Sequence, residues 1–476
     1  MSTTDHGAPD HGTARALQEL RDRLAGALVE PGDADYDRAR RVWNGLIDAR
    51  PRALVRAGDL ADIDLALAAA QRTRLPLAVR GAGHGVAGHG TVEGGLVLDL
   101  GRLRGVVVDP ANQLVSVEPG TTFAALDRAT ARHGLAVPGG LTGAVGVAGL
   151  TLCGGMGWLT RSNGLSLDNL DSADVVTAAG DHLHVSEEEN AGLFWGLRGG
   201  GGNLGVVSSF TFRARWLPST VLAGNLHYRR PRWEGALSAF AAWSRRGLPD
   251  EMNPVLSFAI PPPAAGMGEA PVLTVGFSWV SEDHAAGLDV VDGLREDAPP
   301  DAEEMGPTPW LAWQGARDGL FPRGSHGHWR NLPFSRLDDE VVDVLVGLAA
   351  GITCRGTGID VHHLEGAFGR VPEEATAFPN RSARYWLTVH GVRHDPADDE
   401  HLAAFVRTVR DTMQPFAEHG EYVGLMGPDA ELGGDPAEAV RLAYGREKHQ
   451  RLAALKDRYD PGNLFRHNLN VPPGRP

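Results

Sequence analysis

The amino-acid sequence predicts an α+β protein of two large domains, and three observations support this. At 476 residues the chain exceeds the about 100 to 200 residues of one ordinary domain. Its hydrophobic and charged fractions, 42% and 22%, are those of a globular protein. In its first 216 residues, apolar residues at helical spacing alternate with short β-branched runs and glycine-rich loops, which is typical of mixed helices and strands.

The predicted elements of the first half follow from local patterns. Apolar residues spaced by three and four after Asp59 predict a helix, and 122–133 predicts a second one. Short apolar runs predict strands at 76–79, 95–100, 114–118, 174–185 and 206–212. Glycines are concentrated at 139–157 and at 199–202, so we expect the backbone there to approach another group closely.

The second half has a different texture. Beyond Leu217-Pro218 the glycine clusters stop, and strands such as 272–280 and 384–390 alternate with helices such as 337–349. A last helix is predicted over 437–459, before Asp460-Pro461-Gly462. We therefore expect a first domain at 1–216 with its core at about 45–216, a second domain at 217–424, and a closing segment at 425–476.

Charge and composition exclude several classes of partner. The net charge is −15 and no run of Lys or Arg exceeds two residues, so nucleic acid and anionic membranes are not expected partners. No 18 apolar residues run together, which argues against a membrane span. The two cysteines, Cys153 and Cys354, suit a reducing cytoplasm, and the preference for Arg over Lys favours a bacterial source. The oligomeric state is not determined.

Two segments satisfy the G-x-G-x-x-G pattern of dinucleotide-binding Rossmann units, namely 83–88 and 200–205. That motif has to open a helix, whereas both segments lead into a predicted strand. The sequence therefore does not predict a Rossmann site. Consecutive backbone N–H groups without side chains still favour the binding of phosphate, since they form an anion-binding nest.

Several longer motifs together resemble the berberine bridge enzyme family of FAD-linked oxidases. They are Arg80-Gly81-Ala82-Gly83-His84-Gly85, the runs 94–100 and 117–120, the run 154–169, the run 193–203 and the run 459–472. The resemblance implies a vanillyl-alcohol-oxidase or PCMH-type FAD-binding domain built from both chain ends. It further implies an inserted α+β substrate domain that contains an antiparallel sheet.

The resemblance also implies a reaction. FAD would remove hydride from a C–H next to oxygen or nitrogen of a small organic molecule and pass the electrons to O2, giving H2O2. Bacterial secondary metabolism is the expected setting. Two alternatives stay open, a flavin dehydrogenase with a non-oxygen acceptor and a ligand-binding flavoprotein without turnover.

The resemblance assigns the covalent bond to the flavin 8α-methyl carbon to His84, whose neutral imidazole is a nucleophile. The family's second, cysteinyl link falls on Thr142, and Cys153 takes a glycine position, so one bond is predicted. Valine at 145 favours approach of O2 to the flavin. Expected FAD contacts are Arg80, Gly81, Ala82, Gly83, His84, Gly85, His89, Gly90, Pro119, Gly120, Leu141, Thr142, Val145, Gly146, Gly149, Leu150, Gly154, Gly155, Gly157, Val206, Val207, Asn468 and Asn470.

The substrate base is less directly indicated. Met156 replaces the tyrosine that acts as base in plant alcohol-oxidising relatives. Thr388 and His390 alternate on the strand after Arg381, and His390 is the first candidate because imidazole accepts a proton near neutral pH. Glu365 is the second candidate, and a structural role for both stays open.

No metal site is expected. The pairs His326/His328 and His362/His363 lack further ligands at suitable spacing, and adjacent residues of a strand point to opposite faces.

Overall fold

The structure is a computed structural model that describes residues 11–393, 399–427 and 436–474. Up to residue 216 the helices are α1 (His11–Arg23), α2 (Tyr36–Ala39), α3 (Ala61–Thr73), α4 (Phe123–Thr130), α5 (Val147–Cys153), α6 (Thr160–Asn163) and α7 (Ala191–Leu197). The strands are β1 (Ala27–Val29), β2 (Ala53–Arg56), β3 (Leu77–Arg80), β4 (Leu96–Asp99), β5 (Val106–Asp109), β6 (Leu114–Val117), β7 (Leu135–Ala136), β8 (Leu170–Val176), β9 (His182–Val185), β10 (Val206–Arg213) and β11 (Arg215–Trp216).

Two sheets organise this half. The first has the order β1–β2–β4–β3, with β2, β4 and β3 parallel to one another. Ile63 and Leu67 of α3 pack on it in one buried cluster with Val55 and Leu98. The second sheet, in the order β5–β6–β10–β8–β9, is antiparallel throughout. Burial of these β-branched and aliphatic faces drives the two sheets to close around their own cores.

Beyond residue 216 the strands are β12 (Thr220–Tyr228), β13 (Met252–Ala259), β14 (Val272–Trp279), β15 (Ala302–Pro309), β16 (His326–Phe334), β17 (Thr357–His363) and β18 (Tyr385–Arg393). They form one antiparallel sheet in the order β15–β12–β14–β13–β17–β18–β16. The helices are α8 (Trp233–Arg245), α9 (His284–Asp297), α10 (Trp310–Gln314), α11 (Asp339–Ala349), α12 (Gly366–Gly369), α13 (Asp399–Met413), α14 (Pro436–Tyr444) and α15 (Arg446–Tyr459).

Helices cover one face of this large sheet. Phe240 of α8, Leu345 of α11 and Val409 of α13 are fully buried in the same cluster as strand residues such as Phe258 and Leu387. The opposite face of β17 and β18 is thereby left for the first half of the chain. The predicted α+β class, with an antiparallel sheet in the second half, is confirmed.

The helices differ from prediction at two ends. The helix predicted over 437–459 is two helices, because Gly445 between them has a φ of +73° that an uninterrupted helix does not allow. The helix predicted over 122–133 ends at Thr130 and continues as a 3-10 turn over Ala131–His133. The described part of the chain contains no helix long and apolar enough to cross a membrane.

Buried ionic contacts join the distant parts of the chain. Arg381 forms two hydrogen bonds to the carboxylate of Asp168, at 2.9 and 2.7 Å, and so joins the inserted segment to the first half. In α15, Lys456 donates to the carbonyl oxygens of Asn203 and Phe465, both at 2.8 Å. The C-terminal segment therefore returns to the glycine loop at 199–203.

Candidate active site

A cavity of about 410 Å³ lies between the glycine loops of the first half and the uncovered face of the large sheet. Most of the residues predicted to contact FAD line it. They are Arg80, Gly81, Ala82, Gly83, His84, Gly85, His89, Gly90, Pro119, Leu141, Thr142, Val145, Gly146, Gly149, Leu150, Val206, Val207 and Asn468. Segments from both chain ends thus meet at one cavity.

Three glycines on the cavity wall, Gly85, Gly149 and Gly202, are not required by protein packing. A Cβ atom added at Gly149 or Gly85 meets no protein atom within 4 Å, and one at Gly202 meets only the side-chain nitrogen of Asn468 at 3.9 Å. The side-chain oxygens of Asn468 and Tyr444 are buried on this wall without a hydrogen-bond partner among the described residues. A large cofactor with phosphate and hydroxyl groups, such as FAD, fits this donor set.

Five of the predicted FAD contacts, Gly120, Gly154, Gly155, Gly157 and Asn470, do not line the cavity. A Cβ atom at Gly120, Gly155 or Gly157 would collide with Leu100, Ser166 or Gly139, and one at Gly154 with the rings of Phe378 and Tyr422. These glycines allow close packing of protein on protein. The fifth residue is Asn470, which lies after the cavity-lining residues Asn468 and Leu469.

His84 lies in the loop that follows β3, on the cavity wall. Burial lowers the pKa of His84 to about 4, so its imidazole is neutral at pH 7. The guanidinium of Arg80, at the base of the loop, donates to the carboxylate of Asp99 at 2.8 Å and to the carbonyl oxygen of Ala39 at 2.7 Å. Arg80 therefore holds the loop in place.

Thr142 and Cys153 both line the cavity, as does Val145. Burial raises the pKa of the Cys153 thiol to about 12. Because a thiolate is the nucleophilic form of cysteine, this burial disfavours the reactive form of Cys153 at neutral pH.

The opposite wall of the cavity carries a polar cluster on two neighbouring strands. Asp360 and His362 of β17 and Thr388 and His390 of β18 all line the cavity, and Asp360 pairs in register with Thr388. Residues two apart on a strand share a face, so all four side chains point the same way. The hydroxyl of Thr388 is buried without a hydrogen-bond partner in the described ranges.

Asp360 is the centre of this cluster. One of its carboxylate oxygens lies 3.3 Å from the guanidinium of Arg317, and the other lies 3.8 Å from Nδ1 of His390. Burial acts to raise the pKa of Asp360, but the positive charges of Arg317 and His390 outweigh burial. The pKa of Asp360 therefore lies below its ordinary value, and the carboxylate is ionised at neutral pH. Burial lowers the pKa of His390, and the negative charge of Asp360 opposes this lowering. Burial also lowers the pKa of His362, to about 4.

Aromatic rings enclose the imidazole of His390. The ring of Trp329 stacks on it with centroids 5.9 Å apart, and Phe321 meets it edge-on at 5.1 Å. His390 is a buried, neutral imidazole with a carboxylate partner. That combination suits a group that accepts a proton from a bound substrate.

Glu365, the second candidate base, lies outside the cavity lining. It follows β17 with a φ of +72° and binds Nε2 of His363 at 3.0 Å and the guanidinium of Arg384 at 3.3 Å. Burial acts to raise the pKa of Glu365, but His363, Arg384 and Arg161 outweigh it and hold the pKa below its ordinary value. Its contacts give Glu365 a structural role, so the structure does not bring it to the chemistry.

The sequence patterns missed several cavity residues. Arg317, Asp360 and His362 had no local motif, although the alternation of Asp360 and His362 on a strand was a usable signal. Trp43 was missed because a single tryptophan is usually a core residue. In the parts of the chain that the structure describes, no group of three or more His, Cys, Asp or Glu is arranged to hold a metal ion.

Comparison with known proteins agrees with this site. Residues 51–186 match the model of an FAD binding domain, and residues 421–472 match the model described as berberine and berberine like. The (R)-6-hydroxynicotine oxidase of Paenarthrobacter nicotinovorans is 29% identical over 462 residues, which is 94% of this chain and 97% of that protein. The uncharacterised FAD-linked oxidoreductase YvdP of Bacillus subtilis is 28% identical over 473 residues, 95% and 99% of the two chains.

Solved structures show the same architecture. The crystal structure of 6-hydroxy-D-nicotine oxidase from Arthrobacter nicotinovorans has a TM-score of 0.83 and 25% identity, covering 94% of this chain and 98% of that one. Glucooligosaccharide oxidase from Acremonium strictum, with a TM-score of 0.85 and 22% identity over 97% and 99% of the chains, shares the fold.

The fold and the cavity define an FAD-linked oxidoreductase with a PCMH-type FAD-binding domain. Both of its chain ends contribute to that domain, and the sheet inserted between them faces the cofactor cavity. In sequence and in fold the chain is similar to the berberine bridge enzyme-like FAD-linked oxidases.

Proposed function

We propose that this protein is an oxidase that removes hydride from a C–H next to oxygen or nitrogen of a small organic substrate. FAD, when bound, accepts the hydride and then passes the two electrons to O2, which is reduced to H2O2. The observation that carries the proposal is the Asp360–His390 pair on the wall opposite the His84 loop. The similarity to nicotine and oligosaccharide oxidases supports an oxidase with a small polar substrate.

His390 is the proposed base. Its imidazole accepts the substrate's O–H or N–H proton while hydride leaves the adjacent carbon, so charge does not build up on the substrate. Asp360 lies beside Nδ1, and a negative charge there stabilises the imidazolium that forms at Nε2. Thr388, with an unpartnered hydroxyl next to Asp360 in register, is placed to bind a polar group of the substrate.

We propose that FAD is bonded to the protein through His84 alone. The neutral imidazole of His84 is available as a nucleophile, whereas the buried thiol of Cys153 is protonated. Thr142 offers only a hydroxyl at the position of the second link. The glucooligosaccharide oxidase of Acremonium strictum carries a 6-S-cysteinyl, 8α-N1-histidyl FAD. Experiment can therefore distinguish one bond from two.

The setting of the reaction is also a proposal. Two free cysteines support a cytoplasmic location, and the preference for Arg over Lys supports a bacterial source. Secondary metabolism is the setting that we propose. A dehydrogenase with another electron acceptor is the second candidate, whereas Val145 on the cavity wall favours the oxidase.

A peroxide assay tests the proposal. Purified protein is incubated in air with a panel of secondary alcohols, cyclic amines and oligosaccharides, and H2O2 is measured beside flavin absorbance under anaerobic conditions. Substrate-dependent bleaching with H2O2 in air supports the oxidase. Bleaching that air does not reverse, but an added quinone or dye does, supports the dehydrogenase. No bleaching with any substrate, in protein that holds its flavin, contradicts both.

A further inference from the structure

A short segment outside the matched FAD domain touches His84. We call residues 41–45 the strap. The indole of Trp43 stacks on the imidazole of His84 with ring centroids 5.0 Å apart and an angle of 20° between the planes. Trp43 is 2% exposed, so its position is set by the protein around it. The backbone N–H of Trp43 donates to the carbonyl oxygen of Gly83 at 2.8 Å. The strap therefore fixes both the ring and the backbone of the His84 loop.

The strap also binds the inserted segment at 321–327. The indole Nε1 of Trp43 donates to the carbonyl oxygen of Phe321 at 3.0 Å, and Gly324 donates its N–H to the carbonyl of Trp43 at 2.9 Å. The side chain of Asn44, fully buried, donates to the carbonyls of Val86 at 2.7 Å and of Gly327 at 2.8 Å. One five-residue segment thus ties the His84 loop to the second domain.

We propose that Trp43 is a positioning residue for covalent attachment of the flavin, and that its bonds to 321–327 make attachment depend on docking of the second domain. The inference rests on the proposed bond at His84. Stacking on Trp43 orients the imidazole through its ring face, so a ring nitrogen keeps its lone pair for the bond. A loose His84 would reach the reactive geometry only for part of the time.

The attachment step balances with O2 as the oxidant. The unprotonated imidazole nitrogen of His84 bonds through its lone pair to the 8α-methyl carbon, the other ring nitrogen loses its proton, and the methyl carbon loses one hydrogen. The two electrons and two protons released are accepted by the flavin ring and then by O2, which leaves as H2O2. Trp43 takes no part in this transfer, and its contribution is the orientation of His84.

The test measures attachment separately from turnover. Wild type and variants of the full chain are purified with excess FAD, and total bound flavin is compared with the flavin that stays in the acid-precipitated protein. Trp43→Leu fills most of the site without an aromatic face, and Trp43→Phe keeps a face that can stack. Trp216→Ala, at a 57% exposed tryptophan of the same half, is the matched control.

We expect Trp43→Leu to bind FAD, but the covalently attached fraction of its flavin should be at least five-fold lower than in wild type. Trp43→Phe and Trp216→Ala should have covalent fractions close to that of wild type. Asn44→Ala, which loosens the link to 321–327, should also attach flavin more slowly. Equal covalent fractions in Trp43→Leu and Trp43→Phe would overturn the role of the aromatic ring, and unaltered attachment in Asn44→Ala would overturn the dependence on docking. A wild-type protein that releases all its flavin in acid would instead refute the bond at His84.

Discussion

Replacing Lys456 should weaken the closure of the C-terminal segment on the FAD domain. Lys456 and Lys448 are the only lysines among 45 basic residues. The ammonium of Lys456 is fully buried, 2.7 Å from the carboxylate of Asp460, and also donates to the carbonyls of Asn203 and Phe465. Three donors thus meet three acceptors. The planar guanidinium of arginine cannot reproduce this arrangement in the same space.

The magnitude follows from burial. Removing one partner of a buried ion pair typically costs about 3 to 5 kcal/mol, since the other charge is left without compensation. In Lys456→Met the carboxylate of Asp460 keeps only the backbone N–H groups of Leu464 and Phe465, at 2.7 and 2.9 Å. We expect the melting temperature of the FAD domain to fall by roughly 5 to 15 °C.

The assay is thermal unfolding of the flavin-loaded protein, followed by flavin fluorescence and by circular dichroism. Lys456→Arg keeps the positive charge but replaces the ammonium by a planar guanidinium, so it tests the geometry of the donors. Arg446→Met, at an exposed position of the same helix, is the matched control. Lys456→Arg should lose stability like Lys456→Met, and Arg446→Met should not. A melting temperature of Lys456→Arg equal to that of wild type would refute the argument from three directed donors.

Three further predictions concern the active site. His390→Ala should slow flavin reduction by about 10² to 10⁴ in anaerobic stopped flow while retaining FAD, and an unchanged rate would remove His390 as the base. Because the pKa of His390 lies below its ordinary value, reduction should be constant around pH 7 and fall as acid protonates the imidazole. Asp360→Asn removes the charge that opposes this lowering, so the acidic fall should move to lower pH, and movement to higher pH would contradict the assignment. Digestion and mass spectrometry should find FAD on the His84 peptide alone, and a flavin-linked peptide with Cys153 would show that the thiol does react.

Local chemistry was enough to predict much of the fold. Glycine clusters, β-branched runs and helical spacing are properties of neighbouring residues. The strands predicted at 76–79, 95–100 and 206–212 correspond to β3, β4 and β10, whose bounds differ from the predicted ones by at most one residue. The contact of His84 with the cavity followed from a motif of six residues. Gly445 was the exception, because a single glycine inside a helical pattern does not by itself predict a break.

The sequence by itself determined that this protein is α+β, that its glycine loops surround a ligand, and that His84 and His390 are candidate chemical groups. Only the tertiary structure decided which acidic residue accompanies His390. Asp360 and His390 are thirty residues apart and meet because antiparallel pairing sets Gly358 opposite His390 and Asp360 opposite Thr388. Glu365 fell outside the cavity because the chain turns at a positive φ as β17 ends. Register and chain reversal are set by the burial of whole faces, which no local pattern contains.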